Sequence, residues 1–200
     1  MDELARILAK GGALVLPTET VYGLFAQALD QAAVEHVYQL KSRPRDKALN
    51  LNVASLADIL AFSQNQPDYL SQLYDAFLPG PLTIILEANE RVPAWVNSGM
   101  KTVGFRIPSH PQTLELIRQF GPLIGPSANI SGQASGISYD QIMADFGGKV
   151  IGIKDDAFLT GQDSTILDLS GDQARILRQG AISKEELQAA IPQLVFDDRK

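Results

Sequence analysis

A chain of 200 residues with 45% hydrophobic and 20% charged residues is that of a folded globular protein, not of a disordered or fibrous one. It has no cysteine and two histidines, His36 and His110, which removes disulfides, thiolate zinc sites, a cysteine nucleophile and a histidine-rich metal centre. Its net charge of −6 lacks the basic surplus of a protein that holds nucleic acid mainly through phosphates, so any anion site has to be local. No apolar run approaches the ~18 residues of a membrane span, and the charged N-terminal segment is not a signal peptide. The expectation is one soluble, cytoplasmic domain over residues 1–200, large enough to bury roughly 70% of its unfolded surface.

Residues 2–10 read as an amphipathic helix with Leu4, Ile7 and Leu8 on one face, leading into an apolar strand over 13–17. At that strand's end, "LPTETVYGL" sets two threonines, a glutamate and Tyr22 where they either line a polar pocket or simply cap and pack. A helix follows over 30–41 with Asp30 as N-cap and Val34, Val37, Tyr38 and Lys41 at helical spacing. Then come a basic loop, a strand in "ALNLNV", a helix opened by Ser55, a helix over 67–76 and a strand from Leu82. A strand in "TVGFRIP" precedes a helix that Pro111 opens at a favoured first-turn position. Residues 121–136 read as a short strand and a loop rich in Gly and Ser; a helix over 138–145, three strands and a helix over 183–190 complete the pattern. Intermixed elements of both kinds argue for an α/β fold, a mixed sheet covered by helices.

The basic loop is the first candidate for chemistry. Lys41, Arg43, Arg45 and Lys47 alternate along it, and Pro44 restricts Arg43 to extended conformations. A preorganised Arg–Lys pair on an exposed loop suits phosphate groups, although a solvated charged turn would look the same. Neither GxxxxGK[ST] nor GxGxxG occurs, so a phosphate would need a second donor set. Ser127 and Asn129 in "GPSANISG" offer one, or else form a conformational turn. The same stretch nearly spells the nucleophile elbow G-x-S-x-G, but a Ser127 nucleophile needs a positioned base, and neither His36 nor His110 is placed as one. Arg106 inside an apolar strand needs solvent or a partner, and a ligand carboxylate would be a natural one. Ser164 in "DSTI" and Arg178 in "ILRQG" are weak signals alone.

Taken in order, "PTETVYGL", "KSRP" as K-x-R, "FRIP", "PSANISG" as S-x-N, "STI" and "LRQG" resemble the YrdC/Sua5 family of threonylcarbamoyl-AMP synthases over most of the chain. The length is similar to that of the short, single-domain members. The resemblance implies a twisted, mostly mixed or antiparallel sheet flanked by helices around one open concave cavity. It implies formation of threonylcarbamoyl-AMP and pyrophosphate from L-threonine, bicarbonate and ATP, with Mg2+ accompanying ATP, for the t6A modification of tRNA. By position, Thr20, Arg106, Ser127 and Ser164 would hold threonine, with Asn52 beside it. Lys41, Arg43, Thr102, Asn129, Ser138 and Arg178 would surround ATP, with Lys41 and Arg43 clamping the phosphates as the catalytic pair and Arg45 and Lys47 only steering.

Many members carry a histidine where this chain has Asn52, an amide that can hydrogen-bond but not titrate near neutral pH. The resemblance also implies hand-over of the product to downstream threonylcarbamoyl-transferase machinery and a weak tRNA or RNA contact. Two alternatives stay open: a double-stranded RNA or tRNA-binding module, which the acidity disfavours, and a YrdC-like paralogue without synthase activity, such as a carbamoyl-transfer domain.

Overall fold

The computed structural model of the chain describes residues 2–197. Ten strands form one sheet: β1 (Leu14–Leu16), β2 (Gly23–Gln27), β3 (Leu51–Asn52), β4 (Ser63–Gln64), β5 (Leu82–Ala88), β6 (Thr102–Arg106), β7 (Leu123–Ile124), β8 (Ile151–Gly152), β9 (Thr165–Asp168) and β10 (Arg175–Arg178). Their order is β10-β9-β5-β6-β3-β7-β2-β1-β8, with β4 on β5. The β1–β8, β3–β6 and β5–β9 pairs are parallel and the others antiparallel. This is the mixed α/β architecture expected.

Among the described residues eight α-helices flank the sheet: α1 (Asp2–Ala9), α2 (Gln31–Lys41), α3 (Leu56–Phe62), α4 (Leu70–Phe77), α5 (Ala94–Asn97), α6 (Pro111–Phe120), α7 (Tyr139–Asp145) and α8 (Lys184–Ala190). Their starts follow the cap chemistry. Asp30 accepts from the Ala32 and Ala33 amides, Ser55 caps α3, Ser138 caps α7, and Ser183 with Glu186 closes a capping box on α8. Helix α2 stops at Ser42, whose left-handed φ of 50° turns the chain away.

Strand periodicity divides the protein into two unequal faces. Leu51, Leu82, Ile84, Val103, Phe105 and Leu167 point to one face and join a core with α2, α3, α4, α5 and α8. On the other face, Leu14, Leu16, Phe25 and Leu123 pack under α1 and α6. The rest of that second face, across β3, β6, β5, β9 and β10, carries Asn52, Arg106, Thr83, Ile166 and Arg178, which the register sets in one band. Helices therefore cover one face and half of the other. The uncovered half is the polar floor of a cavity.

Two glycines shape that floor. A Cβ on Gly23 or Gly125 would come within 2.4 and 2.5 Å of the Phe25 ring, so the start of β2 and the loop after β7 can lie on the ring only without side chains there.

Candidate active site

The cavity has a volume of about 290 Å³ and draws its walls from four chain segments, 18–23, 43–52, 125–127 and 163–166, together with Thr83, Arg106, Ser135 and Arg178. Three arginines enter it, each from a different support.

Arg106 ends β6 opposite Asn52 of β3. Its Nη2 donates to Glu19 Oε1 at 2.6 Å, Thr20 Oγ1 at 2.6 Å and Thr18 Oγ1 at 3.3 Å. The second Glu19 oxygen accepts from the Ser109 amide at 2.8 Å and its hydroxyl at 3.2 Å. Burial pushes the Glu19 carboxyl up, but the Arg106 charge and the Ser109 amide outweigh it and hold it below the usual value. Arg106 Nε is buried without a partner. The segment bearing Glu19 is itself held: the amides of Thr160 and Gly161 donate to the Glu19 and Thr20 carbonyls at 3.0 and 2.8 Å.

Arg178, at the end of the edge strand β10, donates from Nε to the Ser164 carbonyl at 3.0 Å and from Nη2 to Ser164 Oγ at 3.1 Å. Ser164 Oγ also meets Thr83 Oγ1 at 3.0 Å. Asp163 lies 4.0 Å from Arg178 Nη1 and is the one carboxylate in the cavity lining among the described residues.

Arg43 stands on the turn after α2, its Nε and Nη2 donating to the carbonyls of Lys47 at 3.2 Å and Ala48 at 2.9 Å. Lys41 corrects the expectation of an exposed loop. It is the last residue of α2, 1% exposed, and does not line the cavity. Its Nζ donates to the Ser127 and Asn129 carbonyls, each at 2.5 Å, and its own carbonyl accepts from Ser131 at 2.8 Å. Burial, then the Arg43 charge, pushes its pKa down to about 8. Arg45 is paired with Glu35 and lies 4.7 Å over the Tyr38 ring, on the exposed side of α2.

The remaining candidates separate. Ser127, Ser164 and Asn52 line the cavity, with Asn52 Nδ2 reaching the Leu123 carbonyl at 3.4 Å. Thr20 is fully buried and touches Arg106 rather than the open space. Thr102 opens β6 opposite Glu87, at the strand end away from Arg106, and is absent from the lining. Asn129 accepts from Ser127 Oγ at 2.5 Å, and with Ser138 it faces a second depression of about 230 Å³ that shares Ser135 with the first. Ser127 has no histidine partner: His110 Nε2 is 3.3 Å from Asp155.

Sequence reasoning missed Asn50, Thr83 and Asp163 as lining residues and left Tyr22 undecided. Asn50 and Asn52, two apart in "ALNLNV", carried the signal of one polar strand face. Tyr22 is buried, donates to Asp156 at 2.7 Å and accepts from the Asp155 amide at 2.8 Å. Burial and the Asp156 contact push its pKa up.

A polar cavity with strand-borne and loop-borne arginines, open on one face of a mixed sheet, is chemically suited to anionic small molecules. The chain belongs to the Sua5/YciO/YrdC family, whose model, described as Telomere recombination, matches residues 6–180. A Pyrococcus abyssi threonylcarbamoyl-AMP synthase is 37% identical over 192 residues, 95% of this chain and 56% of that protein. The Bacillus subtilis threonylcarbamoyl-AMP synthase is 35% identical over 198 residues, 98% of this chain and 57% of that protein. The crystal structure of P. abyssi Sua5 complexed with L-threonine superposes with a TM-score of 0.90 at 35% identity, covering 98% of this chain and 58% of that one. The chain thus spans a little over half the length of these relatives. Among the described residues no helix is long and apolar enough to cross a membrane.

Proposed function

We propose that the chain makes threonylcarbamoyl-AMP and pyrophosphate from L-threonine, bicarbonate and ATP, for t6A modification of tRNA. The observation that carries the reading is the convergence of Arg43, Arg106 and Arg178 on one polar cavity of about 290 Å³, with Ser127, Ser164 and Asn52 between them. The names of the relatives and the threonine complex of P. abyssi Sua5 support it.

In this reading Arg106 takes the threonine carboxylate, and Ser127, Ser164 and Asn52 orient the amino acid. Arg43 and Arg178 face the polyphosphate. The second depression, apolar at Ala134, Ile137 and Ile142 and polar at Asn129 and Ser138, suits a base and its ribose. Lys41 acts from behind, fixing the loop that carries Ser127 and Asn129. Bicarbonate gives carbon dioxide and hydroxide; the threonine amine attacks the carbon dioxide to form N-carboxythreonine, and the proton it gives up leaves with the hydroxide as water. A carbamate oxygen of N-carboxythreonine then attacks the α-phosphorus, and the bond to pyrophosphate breaks. No protein nucleophile is required; alignment of anions and neutralisation of their charge lower the barrier. Magnesium enters as part of the MgATP substrate, held by phosphate and water oxygens.

The test is pyrophosphate release from MgATP with L-threonine and bicarbonate each supplied or omitted, with the product identified by mass spectrometry. Release that requires both, with threonylcarbamoyl-AMP formed, is the expected outcome. Folded protein without turnover would defeat the reading.

A further inference from the structure

The three arginines of the cavity differ in how far a carboxylate compensates them. Arg106 has Glu19 at 2.6 Å, the two side chains only 14% and 13% exposed. Arg178 has Asp163 at 4.0 Å, with 45% and 42% exposure. Arg43 meets only main-chain carbonyls, and no ion pair involves it among the described residues. A close, buried pair keeps its attraction, whereas an exposed one at the outer distance is weakened by water and salt. The cavity is therefore graded, positive towards Arg43 and Arg178 and close to neutral at Arg106.

We infer that Glu19 is a specificity-determining residue: it cancels the charge of Arg106 so that this end of the cavity accepts the single carboxylate of an amino acid and turns away a polyphosphate. The inference rests on the amino acid and nucleotide reading given above. Repulsion from Glu19 grows in proportion to the charge of the approaching ligand, so pyrophosphate is penalised several times more than a carboxylate. A carboxylate can still use Arg106 Nη1, because Glu19, Thr18 and Thr20 all converge on Nη2. Nor is Glu19 free to swing away, since its other oxygen is tied to the Ser109 amide and hydroxyl. The polyphosphate is left to Arg43 and Arg178.

Calorimetric titration of L-threonine, alone and with saturating inorganic pyrophosphate, tests this in the wild-type chain and in Glu19→Gln and Glu19→Asp. In the wild type, pyrophosphate should leave the threonine affinity within about twofold. In Glu19→Gln, which keeps the shape but loses the charge, pyrophosphate should weaken threonine binding about fivefold or more. Glu19→Asp keeps the charge and should restore the wild-type pattern, a rescue that loss of packing alone would not give. Pyrophosphate that displaces threonine from the wild type, or fails to do so in a folded Glu19→Gln, overturns the inference while the functional reading stands. The wild-type titration alone can do this if Glu19→Gln does not fold. A wild-type chain that binds neither ligand overturns both.

Discussion

Arg106 and Arg43 look into the same cavity from opposite kinds of support. Arg106 is built into the sheet between β3 and β5, and its guanidinium is locked to a buried carboxylate and two threonines 86 to 88 residues away in sequence. Arg43 sits on a turn, held by carbonyls four and five residues further along. The first contact ties the ligand site to the stability of the whole protein; the second is local and leaves the fold independent of it. Stability and binding should therefore separate along the cavity, coupled at the Arg106 end and uncoupled at the Arg43 end.

The strongest test of that coupling is Arg106→Ala. It leaves Glu19 charged, buried and without a counter-ion, a situation that costs about 3–5 kcal/mol. Urea unfolding at pH 7 should show a loss of that order. The wild-type Glu19 pKa lies below its unfolded value, so its contribution is present above pH 4.5 and fades as pH falls through the lowered folded value. In Arg106→Ala the Arg106 charge no longer offsets burial and only main-chain hydrogen bonds, chiefly from the Ser109 amide, oppose it, so the Glu19 pKa rises. The deficit of the variant should then shrink between pH 7 and pH 4.5, and a deficit independent of pH would mean that Glu19 is not the cause.

Lys41 tests the boundary between the two ends, because it lies two residues from Arg43 yet is as buried as the core. Lys41→Met keeps the length and takes the donor away from the Ser127 and Asn129 carbonyls, an expected loss of about 1–3 kcal/mol together with weaker nucleotide binding. Its pH signature is distinct. A folded pKa of about 8 against 10.5 unfolded means that the unfolded chain binds more protons between those values. The burial penalty is fully present below pH 8 and is relieved as pH rises towards 10.5. The wild type should gain stability relative to Lys41→Met over that window, and parallel melting temperatures at pH 7.5 and 9.5 would exclude a buried, ionising Lys41.

How much of this could be read beforehand follows the range of each contact. The caps at Asp30 and Ser55, the opening of α6 by Pro111 and the two-residue alternation through Asn50, Leu51 and Asn52 are local, and the sequence displays them. The two-residue strand β4 exists only by pairing with β5 and leaves no period to detect. Strand β2 was hidden behind the turn-like Tyr22-Gly23, where the glycine serves the approach to Phe25. The burial of Lys41 was legible after all: Val34, Val37, Tyr38 and Lys41 form one helical stripe, and the stripe faces the core. The alternation of cations through Lys47 masks this, because Arg43, Arg45 and Lys47 lie beyond the helix end at Ser42. Arg106 plainly needed a partner, but nothing in its own neighbourhood named Glu19, which only the folded sheet brings to it.

Arg43→Ala should have the smallest effect on the fold and so sharpens the comparison most. The side chain bonds only to carbonyls of its own turn, which water can replace, so unfolding free energy should stay within about 0.5 kcal/mol of the wild type. Affinity for MgATP or pyrophosphate should nevertheless fall about tenfold or more, the scale of losing a hydrogen bond to a charged group. Threonine binding, at the compensated Arg106 end, should be unchanged. Titration of both ligands against the same folded variant checks this. Equal losses for both would show that the two ends act as one site, and the division between a strand-borne and a loop-borne half would be wrong.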